Sequence, residues 1–125
     1  MEGKSKVGRQ GEELACQYLV YRRFSILEKN ARLGHHEVDI IARDGKDLVF
    51  VEVKARTGSA YGTPEEAVTT RKLHNLEQAL ARYVAEHREV AHARIDVVSV
   101  YFSEGTKPRV KHFRAVGNGR LAFLS

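Results

Sequence analysis

The chain has little cysteine, little proline and no long hydrophobic run, and each shortage excludes a class of protein. Cys16 is its only cysteine, which rules out an internal disulfide and a cysteine-rich zinc site. No stretch stays apolar long enough to cross a bilayer. The opening MEGKSKVGRQ is polar and basic with no apolar segment behind it, unlike a secretory signal, so the expected location is cytoplasmic, with no membrane partner. Internal repeats and low-complexity tracts are absent, and the two prolines, Pro64 and Pro108, fall at element boundaries. A length of 125 residues leaves room for one core, so a single domain over 1–125 is expected, with 1–8 as a flexible lead-in. Hydrophobic residues at 42% and charged residues at 30% can bury such a core and keep it soluble. Twenty-one Lys and Arg against 16 Asp and Glu leave a formal charge of +5, which suits a polyanionic partner without selecting one.

Hydrophobic spacing organises the rest. Leu14, Ala15, Tyr18 and Leu19 recur at helical intervals and predict a first helix over 9–23. Strands are predicted at 24–28, at 37–43 by alternation, and at 48–54 as a continuous, largely buried run. Asp44-Gly45-Lys46-Asp47 is a turn signal that makes the second and third strands a hairpin. Thr63, Pro64 and Glu66 have the form of a helix start. Leu73, Leu76, Leu80, Tyr83 and Val84 carry that helix to about His87, with a break near Thr69 and Thr70. Strands over 94–102 and 109–116 complete an α-β-β-β-α-β-β order. The long helix between the third and fourth strands suits a crossover, so the expected fold is α/β, a mixed five-stranded sheet flanked by helices.

The candidate chemistry lies on the hairpin. Alternation places Glu37, Asp39, Ile41 and Arg43 on one face of the second strand, and Leu48, Phe50, Glu52 and Lys54 on one face of the third. If 44–47 form the loop, Arg43 pairs with Leu48 and Asp39 faces Glu52; if only 44–45 do, the register slips by two and Glu37 faces Glu52. Both registers give an acidic cluster with a lysine beside it, close enough for two carboxylates to share a divalent ion. Ionised groups on so apolar a strand require a partner or a metal, although exposure at the sheet's end, or neutralisation by Lys54, would also account for them. On the first helix, Glu12 lies about a quarter-turn from the apolar stripe at roughly 100° per residue, whereas Glu13 points to water. Glu12 is therefore placed to flank the site, with helix-dipole compensation as its competing role.

Asp39, twelve intervening residues and then Glu52-Val53-Lys54, after a helix bearing Glu12, resemble the PD-(D/E)xK pattern of restriction-endonuclease-like nucleases. More closely, the chain resembles the bacterial YraN-like family, regarded as relatives of archaeal Holliday-junction resolvases. The resemblance rests on separated segments: Gly8-Arg9-Gln10-Gly11-Glu12, Asn30, Glu37-Val38-Asp39-Ile40-Ile41-Ala42, Val51-Glu52-Val53-Lys54, Tyr61-Gly62, Pro64, Lys72 and Arg94-Ile95-Asp96-Val97-Val98. Val38 replaces the proline of the motif's name, and His36 stands where the family usually has glycine, which places the entry to the second strand in question. His35 and His36 are adjacent on a strand and cannot both serve one ion.

The resemblance implies a restriction-endonuclease-like core and a nuclease site. Asp39, Glu52 and Glu12 would hold Mg²⁺ or Mn²⁺, Lys54 would complete the catalytic set, and Glu37 would support it. Arg9, Arg56, Arg71 and Lys72 flank that site and are the expected phosphate contacts. Asp96, within an apolar strand, is expected to support a basic neighbour. Nucleic acid is the expected partner, DNA in preference to RNA. A homodimer is compatible with this, because cutting a symmetric junction favours two sites. Lacking a recognition helix or zinc finger, the chain is expected to select structure rather than sequence. Two alternatives stand beside the nuclease: a nucleic-acid-binding module that does not cleave, and a protein-interaction domain in which Asp39, Glu52 and Lys54 form a fold-determining ion network.

Overall fold

A computed structural model of the chain describes residues 4–58 and 69–117. Helix α1 (Lys6–Tyr21) precedes strands β1 (Ser25–Leu33), β2 (His36–Asp44) and β3 (Asp47–Thr57); α2 (Thr70–Glu86), β4 (His92–Phe102) and β5 (Arg109–Phe113) follow. The expected α-β-β-β-α-β-β order is observed. The five strands form one mixed sheet in the order β1-β2-β3-β4-β5, with β3 and β4 parallel and the other neighbours antiparallel. Each face is covered by one helix. Phe50, Leu48, Ile41 and Ile95 pack with Leu76, Ala79 and Leu80 of α2, while Ile40, Val49, Val51 and Val98 pack with Ala15 and Leu19 of α1. Among the described residues, no helix is long and apolar enough to cross a membrane.

Helix α1 begins three residues earlier than its apolar stripe implied, because Ser5 caps it by accepting the Gly8 backbone N–H at 3.0 Å. Part of the expected lead-in is thus helical. The helix closes when Phe24 N–H donates to Leu19 O and Arg23 N–H to Val20 O, both at 2.9 Å. Arg23 takes the left-handed conformation, φ 75°, that such a closure requires. Gly11 faces the sheet so closely that a Cβ there would stand 2.5 Å from the Ala55 Cβ. This approach of α1 to β3 sets the depth of the next residue, Glu12.

The β2–β3 hairpin adopts the first of the two expected registers: Asp44 pairs with Asp47, Arg43 with Leu48 and Ile40 with Val51. Strand β1 runs to Leu33, further than the predicted 24–28, through an irregularity between Ile26 and Glu28. Its outer half, Glu28, Lys29 and Asn30, is exposed and polar, so it lacked the alternation that marks a strand. Thr69 caps α2 by accepting the Lys72 N–H at 3.1 Å, where a break was expected. The predicted start at Thr63 and Pro64, like Tyr61-Gly62, lies outside the described residues.

Candidate active site

One departure from regular strand geometry shapes the site. Val38 packs on the α2 side of the sheet and Ile40 on the α1 side, so the alternation expected to align Glu37, Asp39, Ile41 and Arg43 fails at Asp39. Asn30 faces this point by the β1–β2 register and has φ 53°, a left-handed conformation that asparagine tolerates better than most residues. Beyond Ile40–Val51 the β2–β3 pairing gives way, and the Asp39 carboxylate takes over one of its bonds. Its Oδ2 accepts the Val53 backbone N–H at 2.8 Å, while its Oδ1 accepts from Lys4 Nζ at 2.8 Å.

Glu52 follows Leu48 and Phe50 on the α2 face of β3, and apolar packing leaves it 2% exposed. Lys54 Nζ and Lys72 Nζ approach the same carboxylate oxygen, Oε2, at 3.6 and 3.7 Å. Its other oxygen, Oε1, is buried without a hydrogen-bond partner. Burial, and after it the charge of Asp39, push the Glu52 carboxyl up to about 7, against the opposing pull of Lys72, Lys54 and Lys4.

Glu12 is buried on α1. Asn30 Nδ2 donates to its Oε1 over 3.4 Å, and its Oε2 has no hydrogen-bond partner. Burial raises its carboxyl, with Asp39 adding to the effect and Lys4 opposing it. Lys4 is held above its ordinary range: burial works against its charge, but the hydrogen bond and charge of Asp39, together with Glu12 and Glu37, outweigh it.

The structure therefore gathers Asp39, Glu52, Lys54 and Lys72 at one end of the β2–β3 pair, with Glu12 on the α1 side, linked to them through Lys4. Among the described residues, no three His, Cys, Asp or Glu side chains stand close enough together to cage a metal ion, so Glu12 does not close a three-carboxylate set with the other two. The donors present nevertheless suit a hard cation. Two unpartnered, buried carboxylate oxygens offer oxygen ligation, and Mg²⁺ is commonly held by one or two carboxylates while keeping several waters.

The remaining expected residues separate by position. Glu37 is exposed and acts on Lys4 through its charge. Arg9 is exposed and donates to the Lys4 carbonyl oxygen at 2.7 Å, steadying the segment that delivers Lys4. Arg56 lies two positions past Lys54 on β3, half-buried, and Arg71 is exposed on the first turn of α2. Lys72, expected as a phosphate contact, is a counter-charge to Glu52. His35, His36, Glu37, Lys72, Asn75 and Leu76 line a cleft beside the site. Lys4 is the residue that spacing could not reveal, since it meets Asp39 across 35 positions of sequence. Asn30 was visible only as part of the family resemblance.

Asp96 plays the supporting role expected of it, away from this cluster. Fully buried on β4, it accepts from Arg94 Nε at 3.0 Å and from the Ala115 N–H at 3.0 Å, and lies 2.8 Å from His112 Nε2. Arg94 also donates to Asp44 and Asp47 at 2.8 and 2.6 Å, fastening the hairpin turn to β4.

Fold and site together define an α/β protein whose mixed sheet carries an acid–lysine cluster at one end of its central hairpin. The chain belongs to the Uncharacterised protein family UPF0102, which it matches over residues 11–100. A UPF0102 protein of Geobacter metallireducens is 47% identical over 107 residues, covering 85% of this chain and 87% of that one. Another, from Beutenbergia cavernae, is 45% identical over 120 residues, covering 94% and 100%. Among solved structures, Pyrococcus furiosus SfsA in complex with Ca²⁺ is similar at TM-score 0.39 and 10% identity, covering 94% of this chain and 74% of that chain; likeness at that level carries no assignment.

Proposed function

We propose that this chain is a divalent-metal-dependent nuclease that hydrolyses phosphodiester bonds, acting on DNA in preference to RNA, with branched structures among its targets. The observation that carries the reading is Glu52 Oε1, a carboxylate oxygen buried without a partner on an otherwise apolar strand, within reach of the Asp39 charge. An ion pair retained only for folding would satisfy both oxygens; here both lysines approach the other one. Asp39 and Glu52 would hold Mg²⁺ or Mn²⁺, and Glu12, whose Oε2 is without a partner, would assist from the α1 side. When bound, such a metal polarises the scissile phosphate and lowers the pKa of an attacking water. Lys54, beside Glu52, orients that water or stabilises charge developing on the phosphate. Lys72 and Lys4, which pair with the carboxylates here, would be available to phosphates were a cation held by Asp39 and Glu52. Arg9, Arg56 and Arg71 extend the cationic rim along the backbone, Glu37 supports Lys4, and a homodimer would supply two cuts to a symmetric junction.

The Lys4–Asp39 pair at 2.8 Å favours one rival, a fold-determining ion network. Cleavage of labelled single-stranded, duplex, flap and four-way-junction DNA, and of RNA, in Mg²⁺, Mn²⁺ or EDTA separates the two. Metal-dependent cutting by wild type, lost in folded Asp39→Asn and Lys54→Ala, is the expected result. Binding without cutting would replace the nuclease by a binding module. Neither binding nor cutting, with a stability loss in Lys54→Ala, would leave the ion network.

A further inference from the structure

The β1–β2 turn and one side of α2 enclose two clefts in series. The first is the one beside Glu52, lined by His35, His36, Lys72 and Asn75 among others. The second continues along the helix and is lined by Arg32, Leu33, Arg82, Tyr83, Glu86 and His87, among others. Lys72, Asn75, Ala79, Arg82 and Glu86 recur every three or four residues, so the two clefts share one helical stripe. From Lys72 to Glu86 this stripe runs about 21 Å at 1.5 Å per residue, and at its Lys72 end the ammonium lies 3.7 Å from Glu52 Oε2.

The second cleft combines a ring platform with exposed cations. The Tyr83 and His87 rings are stacked, with centroids 3.8 Å apart and planes within 7°. Tyr83 is held from the core by the edge of Phe50 at 5.6 Å, and His87 Nδ1 lies 2.8 Å from the Tyr83 carbonyl oxygen. With Nδ1 donating to that oxygen, His87 Nε2 is left as an acceptor in the neutral ring. The Arg82 guanidinium is tied to Glu86 by an exposed 3.8 Å pair, of a kind that contributes little and yields readily to another anion. Arg32, on β1, is exposed across the cleft.

We propose that this groove seats an unpaired segment of a nucleic-acid strand, one base stacked against the Tyr83–His87 platform and its phosphates held by Arg82 and Arg32, the strand running past Lys72 to Glu52. The inference deepens the nuclease reading and rests on it for the identity of the scissile end. A paired base hides its faces in the duplex stack, whereas a splayed one offers a face to an aromatic ring and a guanidinium. The groove thus selects single-stranded segments of a branched or frayed substrate, a selection by structure with no reading of sequence.

The test uses full-length protein in EDTA and fluorescence anisotropy with a labelled oligothymidylate and a duplex of equal length, across a salt series. Wild type is expected to bind the single strand more tightly. The Arg32→Ala/Arg82→Ala variant should lower the slope of log affinity against log salt by about 1.4, two contacts at about 0.7 each for a single strand. Arg32→Lys/Arg82→Lys should restore it. His87→Ala should weaken single-strand binding by about five- to 150-fold, the range for loss of one base–aromatic stack, and leave duplex binding unchanged. Thermal melts of each variant exclude unfolding as a cause. Equal binding of both probes by wild type, or an unchanged salt slope in the Arg variant, would overturn the groove. If the pattern holds but nothing is cut in Mg²⁺ or Mn²⁺, the nuclease reading falls and the groove stands; if wild type cuts while the groove variants bind normally, the reverse is true.

Discussion

Glu52 should make the metal-free protein less stable as pH rises. Its carboxyl is 2% exposed, one oxygen lacks a partner, and its pKa is pushed from 4.5 to about 7, first by burial and then by Asp39. The folded protein keeps the Glu52 proton up to near neutrality, whereas the unfolded chain releases it near 4.5. A raised carboxyl pKa contributes stability that is fully present below 4.5 and lost as pH climbs through 7. At about 1.4 kcal/mol per pH unit, that interval amounts to roughly 3 kcal/mol. Glu52→Gln keeps the shape of the side chain and removes the ionisation. Urea unfolding of both proteins in EDTA, followed by circular dichroism from pH 4.5 to 8, isolates the effect, because the histidines and other carboxyls titrate in both and cancel in the difference. The glutamine variant should gain on wild type by about 3 kcal/mol across that range, with most of the gain before pH 7. Excess Mg²⁺ should flatten the difference at high pH by holding the wild-type carboxylate ionised and matched. A stability difference that does not change with pH would refute the claim that Glu52 is buried and strained when charged.

Three further outcomes test the frame around the site. Gly11→Ala would force a Cβ to 2.5 Å from that of Ala55, and should cost about 1–3 kcal/mol in urea unfolding as an overpacked contact. Arg94→Met would take the counter-charge from Asp96, which is fully buried, leaving it with His112 and the Ala115 N–H, and lose the ties to Asp44 and Asp47; a loss of about 3–5 kcal/mol is expected in the same assay. Arg23→Gly relieves a left-handed arginine at φ 75° and should raise the unfolding free energy by about 0.5–1 kcal/mol, the strain relief being partly offset by a more flexible unfolded chain.

The sequence could specify the hairpin and its parity because its turn residues and its buried strand agreed, while leaving two registers, two residues apart, of which the structure takes the first. Asp44 and Asp47 pair as the loop ends, Leu48 and Phe50 set the α2 face of β3, and Glu52 and Lys54 follow by parity. Glu12 was legible for a similar reason, since a helix of known pitch fixes the angle between a glutamate and its apolar stripe. Interactions without a local period stayed hidden. Lys4 reaches Asp39 from a segment that composition alone marked as a flexible leader, and Ser5 as a cap, needed only to start the helix earlier, was overlooked in favour of the apolar residues. The parity change at Asp39 depends on Asn30 in a left-handed conformation on a neighbouring strand, which no single-strand pattern encodes.

That parity change is also what makes the site chemically unusual. Had alternation continued through Asp39, its carboxylate would have pointed out of the sheet on the α2 face with Ile41, and the Val53 N–H would have had an ordinary backbone partner. Instead the carboxylate accepts that N–H on one oxygen and Lys4 on the other, beside the far less accommodated Glu52. The two carboxylates differ in their partners: Asp39 has one on each oxygen, whereas Glu52 has Lys54 and Lys72 near Oε2 and none on Oε1. Under the proposed function, that bare oxygen of Glu52 is the one a divalent ion would take.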